Sequence, residues 1–191
     1  MERNPEIQPP ENPFNSMREQ LDRVLRCESI NRKELEELLK AHFDPEVIYL
    51  DSVRVIKKHN SATGTYTIPS GETMPVNLSG HHPGGEIIFR GVDQIEAMQQ
   101  LILAFFIKQY PNLLGFRAEG IKDLKFKSAF KPGDEAEIRV KILEVEKLRG
   151  GLINVTAQCS IGKKGWEEAQ KKNKSIKPTI ATISGVGYLG K

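Results

Sequence analysis

Cysteine is scarce in this chain of 191 residues: there are two, Cys27 and Cys159. Two cysteines so far apart match no metal-ligand spacing, and both read as reduced thiols of a cytoplasmic protein. No secretory leader is expected, because Pro5, Pro9, Pro10 and Pro13 stand where an apolar segment would be needed. Charge of one sign is in no large excess. The formal net charge of +3 is too weak an imbalance to indicate nucleic acid. No apolar run reads as a membrane span, since the best candidate, Val92 to Gln109, carries Asp93, Gln94, Glu96, Gln99 and Gln100 in its first half. Histidine is sparse too, with four in all, but two of them are adjacent, His81 and His82.

What is present is ordinary globular material, 38% hydrophobic and 28% charged, enough for one domain with an appendage. The chain is organised around the stretch from Gly80 to Gln109. From Val92 onward it contains no proline or glycine, and Val92, Ile95, Met98, Ile102 and Phe105 form an apolar stripe at helical spacing. Leu101, Leu103, Ala104, Phe106 and Ile107 widen that stripe until the second half is apolar all round, which predicts a buried central helix.

Glu96 is carried towards the core by that helix, with Gln100 one turn on along the same face. A carboxyl group entering an apolar region has its neutral form favoured, as a general acid near neutral pH requires. Before the helix, His81 and His82 sit among Gly80, Pro83, Gly84 and Gly85, a loop able to hold an imidazole at a fixed angle. Backbone N–H groups at Gly91 and Val92, where the helix begins, are candidate donors to a developing oxyanion. His42 and His59 show no partner pattern and read as surface residues.

Gly80-His81-His82-Pro83-Gly84, followed by Gly91-Val92, Gln94-Ile95-Glu96-Ala97-Met98 and Gln100, resembles the GHFPG…PGV-x-Q-x-E-A-M-x-Q signature of the hot-dog-fold 3-hydroxyacyl-ACP dehydratases of fatty-acid synthesis. Weaker similarity continues through Gly120 to Phe126, Pro132-Gly133-Asp134 and Arg149-Gly150-Gly151, so it covers about Val47 to the C-terminus. The loop departs from the pattern: His82 replaces an aromatic, Gly85 to Phe89 is one residue longer, and the family's two prolines give way to Glu86 or its neighbours and to Arg90. Counting from the loop makes His81 the family's catalytic histidine; counting back from the helix selects His82. We take His81, because Pro83-Gly84 fixes the register locally.

The resemblance implies His81 and Glu96 as the catalytic pair, with His82, Gly91, Val92 and Gln100 contacting substrate. It implies a 3-hydroxyacyl thioester on ACP or CoA, dehydration to the trans-2-enoyl thioester, and no metal or organic cofactor. It further implies at least a homodimer, Glu96 of one chain facing His81 of the other. A hot-dog acyl-CoA thioesterase, in which the carboxylate activates water, and a non-catalytic acyl-thioester-binding protein remain as alternatives.

Residues 1–45 are expected to form a tail and helical extension, and residues 46–191 the main domain. In the extension Met17, Leu21, Val24 and Leu25 recur at helical spacing. A second helix opens at Asn31, with Glu34 completing a capping box and Ile30 and Leu35 a hydrophobic staple, and it stops near Phe43-Asp44-Pro45. Strands are expected at 47–57, 62–68, 116–126, 135–145, 152–161 and 179–189, with Gly150-Gly151 as a hairpin turn. The charged stretch 163–177 reads as a solvated loop or short helix. An alternative is that its lysines join Lys122, Lys125, Lys127 and Lys131 in a surface for an acidic carrier or a CoA phosphate. The fold class expected is α+β, an antiparallel sheet wrapped around a long central helix.

Overall fold

The computed structural model describes residues 27–69 and 89–190. The expected helix at 16–26 and the histidine loop, with His81 and His82, lie outside the described residues. Within them, strands β1 (Cys27–Asn31), β2 (Ser52–Ile56), β3 (Ser61–Thr67), β4 (Leu113–Lys125), β5 (Glu135–Lys147), β6 (Leu152–Lys163) and β7 (Thr179–Leu189) form one sheet. Its order is β1-β2-β3-β5-β6-β7-β4, and every neighbouring pair is antiparallel. Among the described residues three α-helices accompany it: α1 (Arg32–Leu39), α2 (Gly91–Gln109) and α3 (Trp166–Lys172).

The sheet curls around α2 because its strands present one apolar face. Ala136, Ile138, Val140 and Ile142 of β5 are buried, as are Ile153, Val155, Ala157, Cys159 and Ile161 of β6, while most of their sequence neighbours face outward. Against them lies an unbroken buried run in α2, Leu101 to Phe106. Val92 departs from the expected stripe and is 62% exposed. In the same turn Asp93 and Gln94 are buried, so the helix is rotated to turn Val92, and not them, to solvent.

The capping box on α1 is present: Glu34 N–H donates to Asn31 Oδ1 at 3.1 Å, and Asn31 N–H donates to Glu34 Oε2 at 2.9 Å. Ile30, Leu35 and Leu39 are all buried in the main core. The helix ends at Leu39 rather than near Asp44, and Lys40 to Phe43 leave it as turns. β1, which the alternation of side chains does not signal, pairs along its whole length with β2. The expected strand at 47–57 is shorter than read, Ser52–Ile56. Ile48, Tyr49 and Leu50 are buried in succession, and side chains take up the backbone groups there. Gln100 Oε1 accepts from Tyr49 N–H at 2.7 Å and Gln100 Nε2 donates to Val47 C=O at 2.7 Å. Arg32 donates to the carbonyls of Ile48 at 2.8 Å and Leu50 at 3.1 Å. With those groups satisfied, the segment has no need of a ladder partner.

The hairpin turn is as expected, Gly150 and Gly151 having φ of 76° and 80°, a conformation that suits glycine. The charged stretch contains α3, whose Trp166 lies on the sheet face away from α2. Its ring covers Gly162, where an added Cβ would stand 2.6 Å away, and Arg139 sits 5.7 Å from the ring centroid. Trp166 is therefore packing for the outer face. Among the described residues no helix is long and apolar enough to cross a membrane.

Candidate active site

The first turns of α2 are tied down by polar contacts that its sequence hides. Asp93, at the third helical position, accepts from Arg90 N–H at 3.2 Å and from the Arg90 guanidinium at 2.7 and 2.8 Å. Tyr49 Oη donates to the same carboxylate at 3.3 Å. Gln94 donates to the carbonyls of Phe89 at 3.1 Å and Ser128 at 3.2 Å. Tyr49, Tyr66, Phe89 and Phe130 enclose this end, their adjacent rings 5.5 to 6.0 Å apart. The helix start is thus a fixed platform. The Phe126 ring lies over Gly91, where an added Cβ would approach Phe126 Cε1 to 2.6 Å and displace the ring. The N–H groups of Gly91 and Val92 precede the first helical hydrogen bond, Gln94 N–H to Arg90 C=O at 3.0 Å.

One turn further along, Glu96 is half-buried on the wall of an open cleft of about 820 Å³. α2 supplies Glu96, Gln99 and Leu103 to that cleft; the turns after α1 supply His42 and Phe43; β4 supplies its stretch from Gly115 to Ile121. Burial pushes the Glu96 carboxyl above the ordinary carboxylate value; a hydrogen bond from Gln100 opposes this, and the nearby Asp93 carboxylate reinforces it. That hydrogen bond is long, 3.5 Å from Gln100 Nε2 to Glu96 Oε1. Gln100 is completely buried, and its short bonds go to the backbone of Val47 and Tyr49, so its main work is to anchor that segment.

Of the residues singled out in the sequence, Gly91, Val92, Glu96 and Gln100 fall within three turns at the start of α2. Two contributors were missed. The Arg90–Asp93–Tyr49 network was missed because Asp93 and Arg90 look like ordinary solvated charges in the sequence. His42 reads as a surface residue, yet it lines the Glu96 cleft. Its imidazole lies over Gly115, where an added Cβ would stand 3.6 Å from Cε1 and 3.7 Å from Nδ1, and burial holds its pKa below the ordinary imidazole value. Nothing local to His42 signals this, because only the fold of β4 beside α1 brings it there.

Among the described residues, no three His, Cys, Asp or Glu side chains are grouped as a metal site would require. Both cysteines are free thiols, and burial pushes that of Cys159 up to about 12.

Among solved structures, the dehydratase heterocomplex ApeI:P from Xenorhabdus doucetiae is similar to this chain with a TM-score of 0.55 at 14% identity, over 78% of this chain and 87% of that one. The fold is a hot-dog fold. Two other structures overlap it at lower scores. Zebrafish thioesterase superfamily member 2 has a TM-score of 0.49 at 13% identity, over 83% of this chain and 95% of that one. The PaaI protein from the E. coli phenylacetic acid degradation operon has a TM-score of 0.42 at 12% identity, over 93% of this chain and 91% of that one. No protein-family profile matches the chain, and no curated protein sequence matches it. In this hot-dog domain the central helix and the strand that follows it, β4, together frame the Glu96 cleft.

Proposed function

We propose that the protein is a dehydratase of 3-hydroxyacyl thioesters, carried on ACP or CoA, giving trans-2-enoyl thioesters. The observation that carries this reading is Glu96: a half-buried carboxyl with a raised pKa, on the wall of an open cleft along the central helix. A carboxyl whose neutral form is favoured by burial is suited to donate a proton. The thioesterase alternative requires Glu96 as an anion that activates water, and both its burial and the neighbouring Asp93 work against that form.

In the proposed reaction the N–H groups at Gly91 and Val92 hydrogen-bond the thioester carbonyl, drawing charge onto its oxygen and acidifying the α-carbon. His81 removes the α-proton. Glu96 gives its proton to the 3-hydroxyl, the carbon–oxygen bond breaks, and water leaves as the double bond forms. His81 and Glu96 come from different protomers of a homodimer, with His82 and Gln100 beside the substrate. The similarity to the ApeI:P dehydratase supports the fold on which this rests, and the sequence resemblance supports the roles.

The test is mass spectrometry of the purified protein with 3-hydroxyacyl and enoyl thioesters on both CoA and ACP. Reversible loss and gain of one water is the expected result, whereas release of free acid and thiol would transfer the assignment to hydrolysis. Glu96→Gln and His81→Ala are each expected to lower kcat by about 10²- to 10⁴-fold, the range for a lost general acid or base.

A further inference from the structure

The segment between α1 and β2 reaches into the site from the N-terminal side and leaves one functional group there. Leu39 C=O accepts from His42 N–H at 2.8 Å and from Phe43 N–H at 3.0 Å, so the end of α1 fixes where the imidazole starts. α1 itself is held by Leu35 and Leu39, both fully buried, and the imidazole lies against Gly115 on the β4 side. The cleft wall therefore carries an imidazole and a carboxyl from one chain, His42 and Glu96, with Gln99 of α2, Arg117 and Glu119 of β4 and Tyr188 of β7 as the other polar or charged side chains lining it among the described residues.

We infer that His42 is a further catalytic residue of the Glu96 site, hydrogen-bonding the same substrate oxygen that Glu96 protonates. This rests on the proposed function for the identity of that oxygen, the 3-hydroxyl leaving as water, and goes beyond it in assigning a second imidazole from the same protomer as Glu96. A neutral imidazole offers one donor and one acceptor nitrogen. It accepts from the substrate hydroxyl while Glu96 donates to that oxygen, fixing the rotamer in which the carbon–oxygen bond is aligned to break. No net proton crosses His42 in the step: the proton Glu96 loses is the one that leaves in water. Burial on the cleft wall lowers the pKa of His42 and raises that of Glu96, so each is biased to the neutral form this shared hydrogen bond needs.

The experiment has two readouts on the full-length protein. The first is turnover of 3-hydroxyacyl thioesters by His42→Gln, with Glu96→Gln as reference. The expected result is a fall of at least about 10-fold in kcat with KM changed little, the pattern of an interaction made in the transition state. The second needs no turnover: NMR titration of the His42 imidazole, assigned by its absence in His42→Gln, in wild type and in Glu96→Gln. Removing an ionisable carboxyl that shares a cleft with His42 is expected to move its titration midpoint downward, because the Glu96 anion favours the imidazolium. If Glu96→Gln is inactive while His42→Gln matches wild type, the inference is overturned and the Glu96 reading stands. If no thioester is turned over at all, the proposed function fails. The pairing is then upheld by a moved midpoint and overturned by an unmoved one.

Discussion

At the scale of single residues, Glu96 and Gln100 make opposite contributions to stability. Glu96 has a folded-state pKa raised chiefly by burial, so the folded protein binds its proton more tightly than the unfolded chain does. Its contribution is favourable at low pH and is lost as pH rises through and above the ordinary carboxylate range. Glu96→Gln is therefore expected to raise the melting temperature at pH 7 and to leave it unchanged well below pH 4, a comparison that thermal unfolding at the two pH values would check. Gln100 works the other way. Replacing it with leucine removes both bonds to the 47–49 backbone and leaves a buried N–H and C=O without partners, at a cost of about 2–4 kcal/mol in denaturant unfolding. Glu96 was legible in the sequence because a carboxylate at a helical position among large apolar residues is conspicuous. His42 was not, since its role depends on a long-range approach of α1 and β4 that no local pattern encodes.

At the scale of elements, the sequence speaks where a local interaction decides and falls silent where a distant side chain does. α1 begins where its capping box says it must. Asn31→Ala is expected to destabilise the protein by about 0.5–2 kcal/mol while leaving the m-value of urea unfolding unchanged, since the helix remains packed through Leu35 and Leu39. β5, β6 and β7 were readable because one buried face imposes a period of two. β1 buries only Ile30 and exists through its ladder to β2, so it has too little alternation to announce itself. The segment after Val47 looks like a strand by composition. It is diverted by Gln100 and Arg32, whose places beside it exist only once α1 and α2 have packed.

At the scale of the molecule, β4 is the telling feature. Among the described residues it is bonded on one side only, to β7, and its edge carries Leu114 at 67% and Ile121 at 39% exposure. A long strand edge bonded on one side presents backbone N–H and C=O groups to which a further strand can add. It also runs beside the Glu96 cleft. Pairing of two β4 edges about a two-fold axis is the proposed dimer, with Glu96 facing the partner's His81. Sedimentation is expected to give a dimer, and Leu114→Lys with Ile121→Lys to shift it to monomer with loss of turnover. Shared sites make a sharper demand. When Glu96→Gln and His81→Ala chains are unfolded together and refolded, random pairing makes about half the dimers mixed, and each mixed dimer holds one site with both groups intact. Two inactive proteins are thus expected to give about a quarter of wild-type activity. A site built within one chain would give none, because every Glu96 able to donate would then be matched with a missing His81.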